Sequence, residues 1–265
     1  MGVYSPPEIV DVTIQKGVEK AKASFLTLSV LGFAAGMFIG LAGIAFIRAM
    51  GTMPAEWGSL VLLIGACVFP FGLICLLLAG GELVTGNMMV VSMALFAKKI
   101  TAKEWLRNMI IVTLFNFIGA FFVAYFFGYL TGALEGDFLE RTILVARGRT
   151  KDTILQAFLS GIACNILVST GVYLNFASKD MIGKIVGIWL PIMGFVMSGF
   201  QHVVANMFII PAGILAGGVT WTDFWLNVIP VYLGNVIGGG GFIAFLYFAA
   251  YKIGTKKISP KDLAQ

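Results

Sequence analysis

The chain holds a single histidine, His202, inside the apolar run GFQHVVANMF (199–208). Imidazole takes up and releases a proton near neutral pH, so at a water-poor site it can pass one to a weak-acid anion, directly or through water. The alternative is a neutral ring satisfied by Asn206 one turn on, or by a neighbouring helix. A second polar interruption, AGGELVTGN (79–87), places Glu82 among apolar residues. Glu82 reads either as a functional ionisable group or as a cap on backbone N–H groups of its own loop. Thr85 offers a hydroxyl opposite His202. Asn87 and Asn206 read equally as loop braces and as ligand contacts, while Asn165, in an otherwise apolar stretch, reads as a brace. Phe69, Leu73, Leu83 and Phe195 flank the two interruptions at spacings that either face a pore or serve packing alone.

These residues come without the partners that enzyme chemistry needs. There is no HExxH, GxSxG, paired carboxylate or cysteine–histidine set, and Cys67, Cys75 and Cys164 sit singly in apolar segments as small hydrophobes. The expectation is therefore no enzyme, no metal and no cofactor. Paired NPA motifs, which a water or glycerol channel would carry, do not occur either. A membrane oligomer with no transport role is a further alternative, and it would pass no anion.

The elements that position these residues follow from composition. Of 265 residues 59% are hydrophobic and 12% charged, and mean hydropathy is +0.94. A soluble globule cannot hide that much apolar surface. Runs at 25–47, 57–81, 109–134, 153–178, 185–222 and 224–251 carry almost no charge. Each is long enough to cross about 30 Å of hydrocarbon as a helix. The expectation is an all-α integral membrane protein with six spans. Its first 24 residues are polar and charged, unlike a cleavable signal. Lys and Arg divide 13 against 5 between the two sets of alternate loops and ends, which predicts both termini on the cytoplasmic side. The basic stretches have no interleaved aromatics, which argues against nucleic acid. Residues 6–22 place Ile9, Val12, Thr13, Lys16 and Lys20 on one side of a helix expected to lie at the membrane surface. The domain plan is a cytoplasmic segment 1–24, a channel domain 25–254 with repeats at about 25–134 and 150–254, and a cytoplasmic tail 255–265.

Offsetting the chain by 119 residues exposes a repeat. Asn87, Asn108 and Asn116 fall on Asn206, Asn227 and Asn235, and Glu82 falls on Gln201. The capping boxes TAKE (101–104) and TWTD (220–223) also coincide. Three spans per repeat force the copies into opposite orientations, the plan of many transporters, with the pathway between the halves. The second and fifth apolar stretches, taken through their interruptions from about 57 to 97 and from about 181 to 216, are too long for one crossing and too short for two. Each is interrupted at equivalent places, which predicts half-helices joined by irregular backbone that lines a cavity. The N-termini of such half-helices favour an anion.

The runs FPFGLICLLLAGGELVTGNMM (69–89) and GFQHVVANMFIIPAGI (199–214), with the PPEIVD start, resemble the formate/nitrite transporter family over nearly the whole chain. The wording ELVTGNMM and FQHVVANM is similar to that of Gram-positive formate-transporter-like and hydrosulfide-channel-like members. The resemblance implies an aquaporin-like protomer with broken second and fifth helices, in a homopentamer with one pore per protomer in a bacterial cytoplasmic membrane. It implies a central pair in Thr85 and His202, constrictions at Phe69, Leu73, Leu83 and Phe195, loop braces at Asn165 and Asn206, and a basic vestibule residue at Arg149. Two positions depart from the family pattern: Val84 stands where an aromatic is usual, and Gln201 where a glutamate often precedes the histidine. The implied cargo is formate and related small monovalent anions, with hydrosulfide as the nearest rival and nitrite or lactate behind it.

Overall fold

The computed structural model describes residues 2–254. The tail expected over 255–265, with Lys256, Lys257 and Lys261 of the charge division, lies outside the described residues. Eleven long helical elements carry the fold: α1 (Pro6–Lys22), α2 (Phe25–Gly51), α3 (Ser59–Val68), α4 (Pro70–Leu78), α5 (Val84–Phe96), α6 (Ala102–Phe122), α7 (Leu139–Thr150), α8 (Ile154–Ala177), α9 (Met181–Met197), α10 (Val203–Leu215) and α11 (Trp221–Val236). α6 runs on into a π-helical turn to Tyr129, and α11 continues through wide turns to Ile253. No strand occurs among the described residues, apart from one antiparallel bridge between Val3 and Ser178.

By length and composition five of these helices can cross a membrane: Phe25–Gly51, Ser59–Leu78, Ala102–Tyr129, Ile154–Ala177 and Trp221–Ile253. The two interrupted stretches divide unequally instead of into halves. The α3–α4 run has 20 residues, about 30 Å of helix, and the following α5 has 13. The second copy pairs α9, of 17 residues, with α10, of 13. In each copy a long arm is followed by a short helix that starts inside the molecule.

Helix α1 begins on a capping box in which the Ser5 hydroxyl and backbone N–H donate to the Glu8 carboxylate at 2.6 and 2.7 Å. Those bonds, the hydroxyl's first, hold the Glu8 carboxyl below its ordinary value. The cap therefore contributes fully above the unfolded carboxylate's range and is lost as pH falls from there through the lowered folded value. α1 does not simply lie at a surface. It buries Ile9, Val10, Thr13, Gly17 and Ala21 and packs on α5, with Gly17 against the Val90 carbonyl. That face is rotated from the expected one: Val12 is half-buried and Lys16 exposed.

The tightest seams are α2 on α6 and, in the second copy, α8 on α11. Gly119 lies against the Phe33 carbonyl, and its repeat equivalent Gly238 against the Ile162 carbonyl. A methyl at either position meets backbone, which cannot rotate away. Gly119→Ala is expected to cost about 2 kcal/mol, read as a lower thermal midpoint in detergent, whereas Gly194→Ala, which meets open space, should cost little.

Candidate functional site

Helix α4 ends at Leu78 and α9 at Met197. Beyond them Gly80 (φ 88°) and Gly199 (φ 73°) turn the chain through the left-handed region, where a side chain would be strained. The chain then runs extended into α5 and α10. The two N-cap residues, Leu83 and His202, are repeat equivalents with nearly the same backbone, φ −102° ψ 123° and φ −103° ψ 119°. Leucine cannot cap. His202 does: its Nδ1 accepts from the Ala205 N–H at 3.1 Å.

Each interruption is held by two asparagines of the following long helix. Asn116 Oδ1 accepts from the Val84 N–H at 2.8 Å, while its Nδ2 donates to the Gly32 and Glu82 carbonyls, both at 2.8 Å. Asn235 repeats this for the Val203 N–H (3.0 Å) and the Gly161 and Gln201 carbonyls (2.7 and 3.1 Å). Asn87 donates to Glu82 and Asn108, and Asn206 donates to Gln201 and Asn227. Asn108 and Asn227 then donate to the carbonyls of Lys20 and Arg149. Irregular backbone that would otherwise be orphaned is thus satisfied in matching fashion on both sides. Asn165 reaches from α8 to the Thr85 and Asn235 carbonyls, at 3.1 and 2.7 Å, and so ties the two interruptions together.

The match makes Lys20 and Arg149 counterparts, and with them α1 and α7. Their charges are handled differently. Glu82 does not cap its loop. Its carboxylate takes Lys20 Nζ at 2.8 Å on one oxygen and Asn87 Nδ2 at 2.7 Å on the other. Gln201, its neutral equivalent, donates to Asp152 Oδ2 and the Arg149 carbonyl. The Arg149 guanidinium donates to the Gly199 and Phe200 carbonyls and has no carboxylate within 4.0 Å among the described residues. Lys20→Met strands the largely buried Glu82 carboxylate. It is expected to lower stability by about 2 kcal/mol, measured by thermal unfolding in detergent, with part of the effect lost to solvent at the partly open Lys20.

At the centre Thr85 Oγ1 and His202 Nε2 lie 2.8 Å apart, both residues buried. Since Nδ1 accepts from Ala205, the neutral ring carries its hydrogen on Nε2 and donates it to Thr85. The Thr85 hydroxyl hydrogen then has no acceptor among the described residues.

Cavities open on either side. On the α1 side one of about 440 Å³ is lined by Lys20, Glu82, Leu83, Asn87, Asn175 and Lys184, among others. On the α7 side His202, Phe195, Phe69, Phe46, Arg149 and Asn206 line a gap of about 10 Å³, room for about one water. Beyond it a cavity of about 380 Å³ is lined by Arg141, Arg149, Lys151 and Asp152. The rings of Phe46, Phe69, Phe195 and His202 follow one another at centroid spacings of 6.0, 6.0 and 5.7 Å. Leu73 and Val84 are fully buried and line neither space beside the ring. Sequence reasoning passed over Phe46 and the Lys20 pairing. It noticed the register of Asn108, Asn116, Asn227 and Asn235 without assigning them a task.

Comparison with known proteins agrees with this geometry. The family model for formate/nitrite transporters matches residues 7–249. An uncharacterised transporter, YrhG, of Bacillus subtilis is 52% identical, covering 100% of this chain and 99% of its own. The formate channel BtFdhC of Bacillus thuringiensis is 48% identical over 95% of this chain and 97% of its own. Among solved structures, an FNT family ion channel superposes with a TM-score of 0.86 at 24% identity, covering 92% of this chain and 98% of that one. A pentameric formate channel with formate bound superposes at 0.75 with 28% identity, covering 86% and 97%. A family model matching residues 7–249 and relatives about half identical along nearly the whole length make this chain a member of the formate/nitrite transporter family.

Proposed function

We propose that the chain forms a pore for formate, assembles as a homopentamer with one pore per protomer, and places both termini in the cytoplasm of a bacterial cell. Family membership makes it a multi-pass membrane transport protein and not an enzyme. The observation that carries the cargo reading is the buried Thr85–His202 pair at 2.8 Å between apolar walls. A hydrated anion cannot pass Leu83 on one side or Phe69 and Phe195 on the other without losing water, at a cost of several kcal/mol. A neutral weak acid can. Arg149 attracts the anion on the α7 side. At the bottleneck the free hydroxyl hydrogen of Thr85 is offered to a carboxylate oxygen, with His202 Nε2–H supporting it.

The proton itself requires a second event at the ring. Nδ1 takes up a proton, relayed from bulk water through the water-sized gap beside the ring, only by giving up the Ala205 N–H, an exchange that an anion beside the ring offsets. The charged ring then passes its Nε2 hydrogen through Thr85 to the anion and is left neutral, and formic acid moves on. Asn165 holds the backbone that sets this spacing, while Asn87 and Asn206 tie the Glu82 and Gln201 side chains at the loop ends to Asn108 and Asn227. Val84 contributes to packing behind the centre.

The test is flux of labelled formate into proteoliposomes, with nitrite, lactate and hydrosulfide as competing cargoes. Saturable formate uptake, absent from protein-free vesicles and preferred over hydrosulfide, supports the reading. Uptake of hydrosulfide with no formate flux contradicts it.

A further inference from the structure

We propose that Asn175 and Lys184 form a reception site for a small carboxylate at the mouth of the α1-side cavity, ahead of the Leu83 constriction; the proposal rests on the formate reading above. Asn175 lies near the end of α8 and is 7% exposed, yet its Oδ1 is buried without a donor. Its amide enters no hydrogen bond among the described residues. A buried amide left in this condition costs about 1–3 kcal/mol, so its presence on a cavity wall calls for an occupant. Lys184, in the first turns of α9, lines the same cavity.

The other cations there are already engaged. Lys20 pairs with Glu82 at 2.8 Å and Lys16 with Glu19 at 2.7 Å. Lys184 has no carboxylate within 4.0 Å among the described residues. It is the lining lysine whose charge is left for a ligand. An ammonium has three hydrogens. One satisfies Asn175 Oδ1, and the others hold a carboxylate whose second oxygen accepts from Asn175 Nδ2. A halide or hydrosulfide can use the charge but cannot span the ammonium and the amide together. On the α7 side position 65, the repeat equivalent of Lys184, is glycine; Asn206 Oδ1 is also without a donor there, but its Nδ2 is taken by Gln201 and Asn227 and the Arg149 guanidinium by the Gly199 and Phe200 carbonyls. The two faces of the pore should therefore take up carboxylate with different concentration dependence.

The experiment compares initial formate uptake against formate concentration in inside-out and right-side-out membrane vesicles containing the full chain. The variants are Lys184→Gln, Lys184→Arg, Asn175→Leu and Asn175→Asp. On the face carrying α1, Lys184→Gln is expected to raise the half-saturating formate concentration about fivefold, the worth of one nearby unit charge in water. Asn175→Leu should raise it by a similar factor. Asn175→Asp should do the same by supplying Lys184 with a fixed counter-charge. Lys184→Arg should stay close to wild type and shows that the position tolerates change. On the opposite face all four should match wild type. Unchanged half-saturation on the α1 face for both Lys184→Gln and Asn175→Leu, or equal changes on both faces, overturns the site while leaving formate transport standing. A wild-type chain that carries no formate from either face overturns both readings.

Discussion

His202→Asn is expected to leave the protein folded and to slow formate flux at pH 7 about a hundredfold, the low end of what a positioned proton donor contributes. The choice of asparagine matters. His202 has two tasks: its Nδ1 caps α10 by accepting from the Ala205 N–H, and its Nε2 meets Thr85. Asparagine is among the best N-cap residues, so the first task survives. An amide does not titrate, so the second is lost. Alanine would mix both losses, with about 1 kcal/mol of cap stability going too. The checks are thermal midpoint in detergent, expected close to wild type, and formate flux across pH 5–8, expected low and flat. A variant that transports like wild type with an unchanged pH profile would show that the ring is a cap and nothing more.

The largest structural effect is expected at Asn235. Asn235→Leu removes an acceptor from the Val203 N–H and donors from the Gly161 and Gln201 carbonyls, all at a buried residue. Leucine fills similar space and satisfies none of them. Each orphaned group costs about 1–3 kcal/mol, so the total is about 3–5 kcal/mol after partial relaxation. Asn116→Leu should cost about the same, because its three bonds are equivalent. The measurement is the thermal or denaturant midpoint of the purified protein. If the network acts as two independent braces, the two substitutions add; Asn165, which binds the Asn235 carbonyl on one side and the Thr85 carbonyl on the other, predicts that they couple.

Much of this centre was readable from residues. Asparagine is costly in an apolar helix, so three of them recurring at one offset could not be a by-product of hydrophobic bias. The same offset placed both interruptions. Other parts were hidden for definite physical reasons. The equivalence of α1 with α7 escapes a single-register comparison because its offset is 129, as Lys20 and Arg149 show. The first copy has a longer loop (52–58 against 178–180), a longer α2 than α8 and a longer α3–α4 run than α9, which shifts the register between α2 and α5. The Lys20–Glu82 pair joins residues 62 apart whose helices meet only in the folded chain. Phe46 is one phenylalanine among 23, and nothing in its neighbourhood marks it as the ring that continues the Phe69–Phe195 series. The unequal arms were also beyond reach, because hydropathy fixes how long an apolar stretch is and not where the chain turns within it.

The most direct test of a proton transferred at the centre of the pore is whether formate brings a proton with it. Proteoliposomes holding an internal pH dye are given an inward formate gradient, with the acidification of protein-free vesicles subtracted. Wild type should acidify the interior by about one proton per formate, independently of an imposed membrane potential, and His202→Asn should lose most of that signal. Formate uptake that follows the membrane potential and leaves internal pH unchanged would contradict protonation at His202 and mean that the anion crosses with its charge.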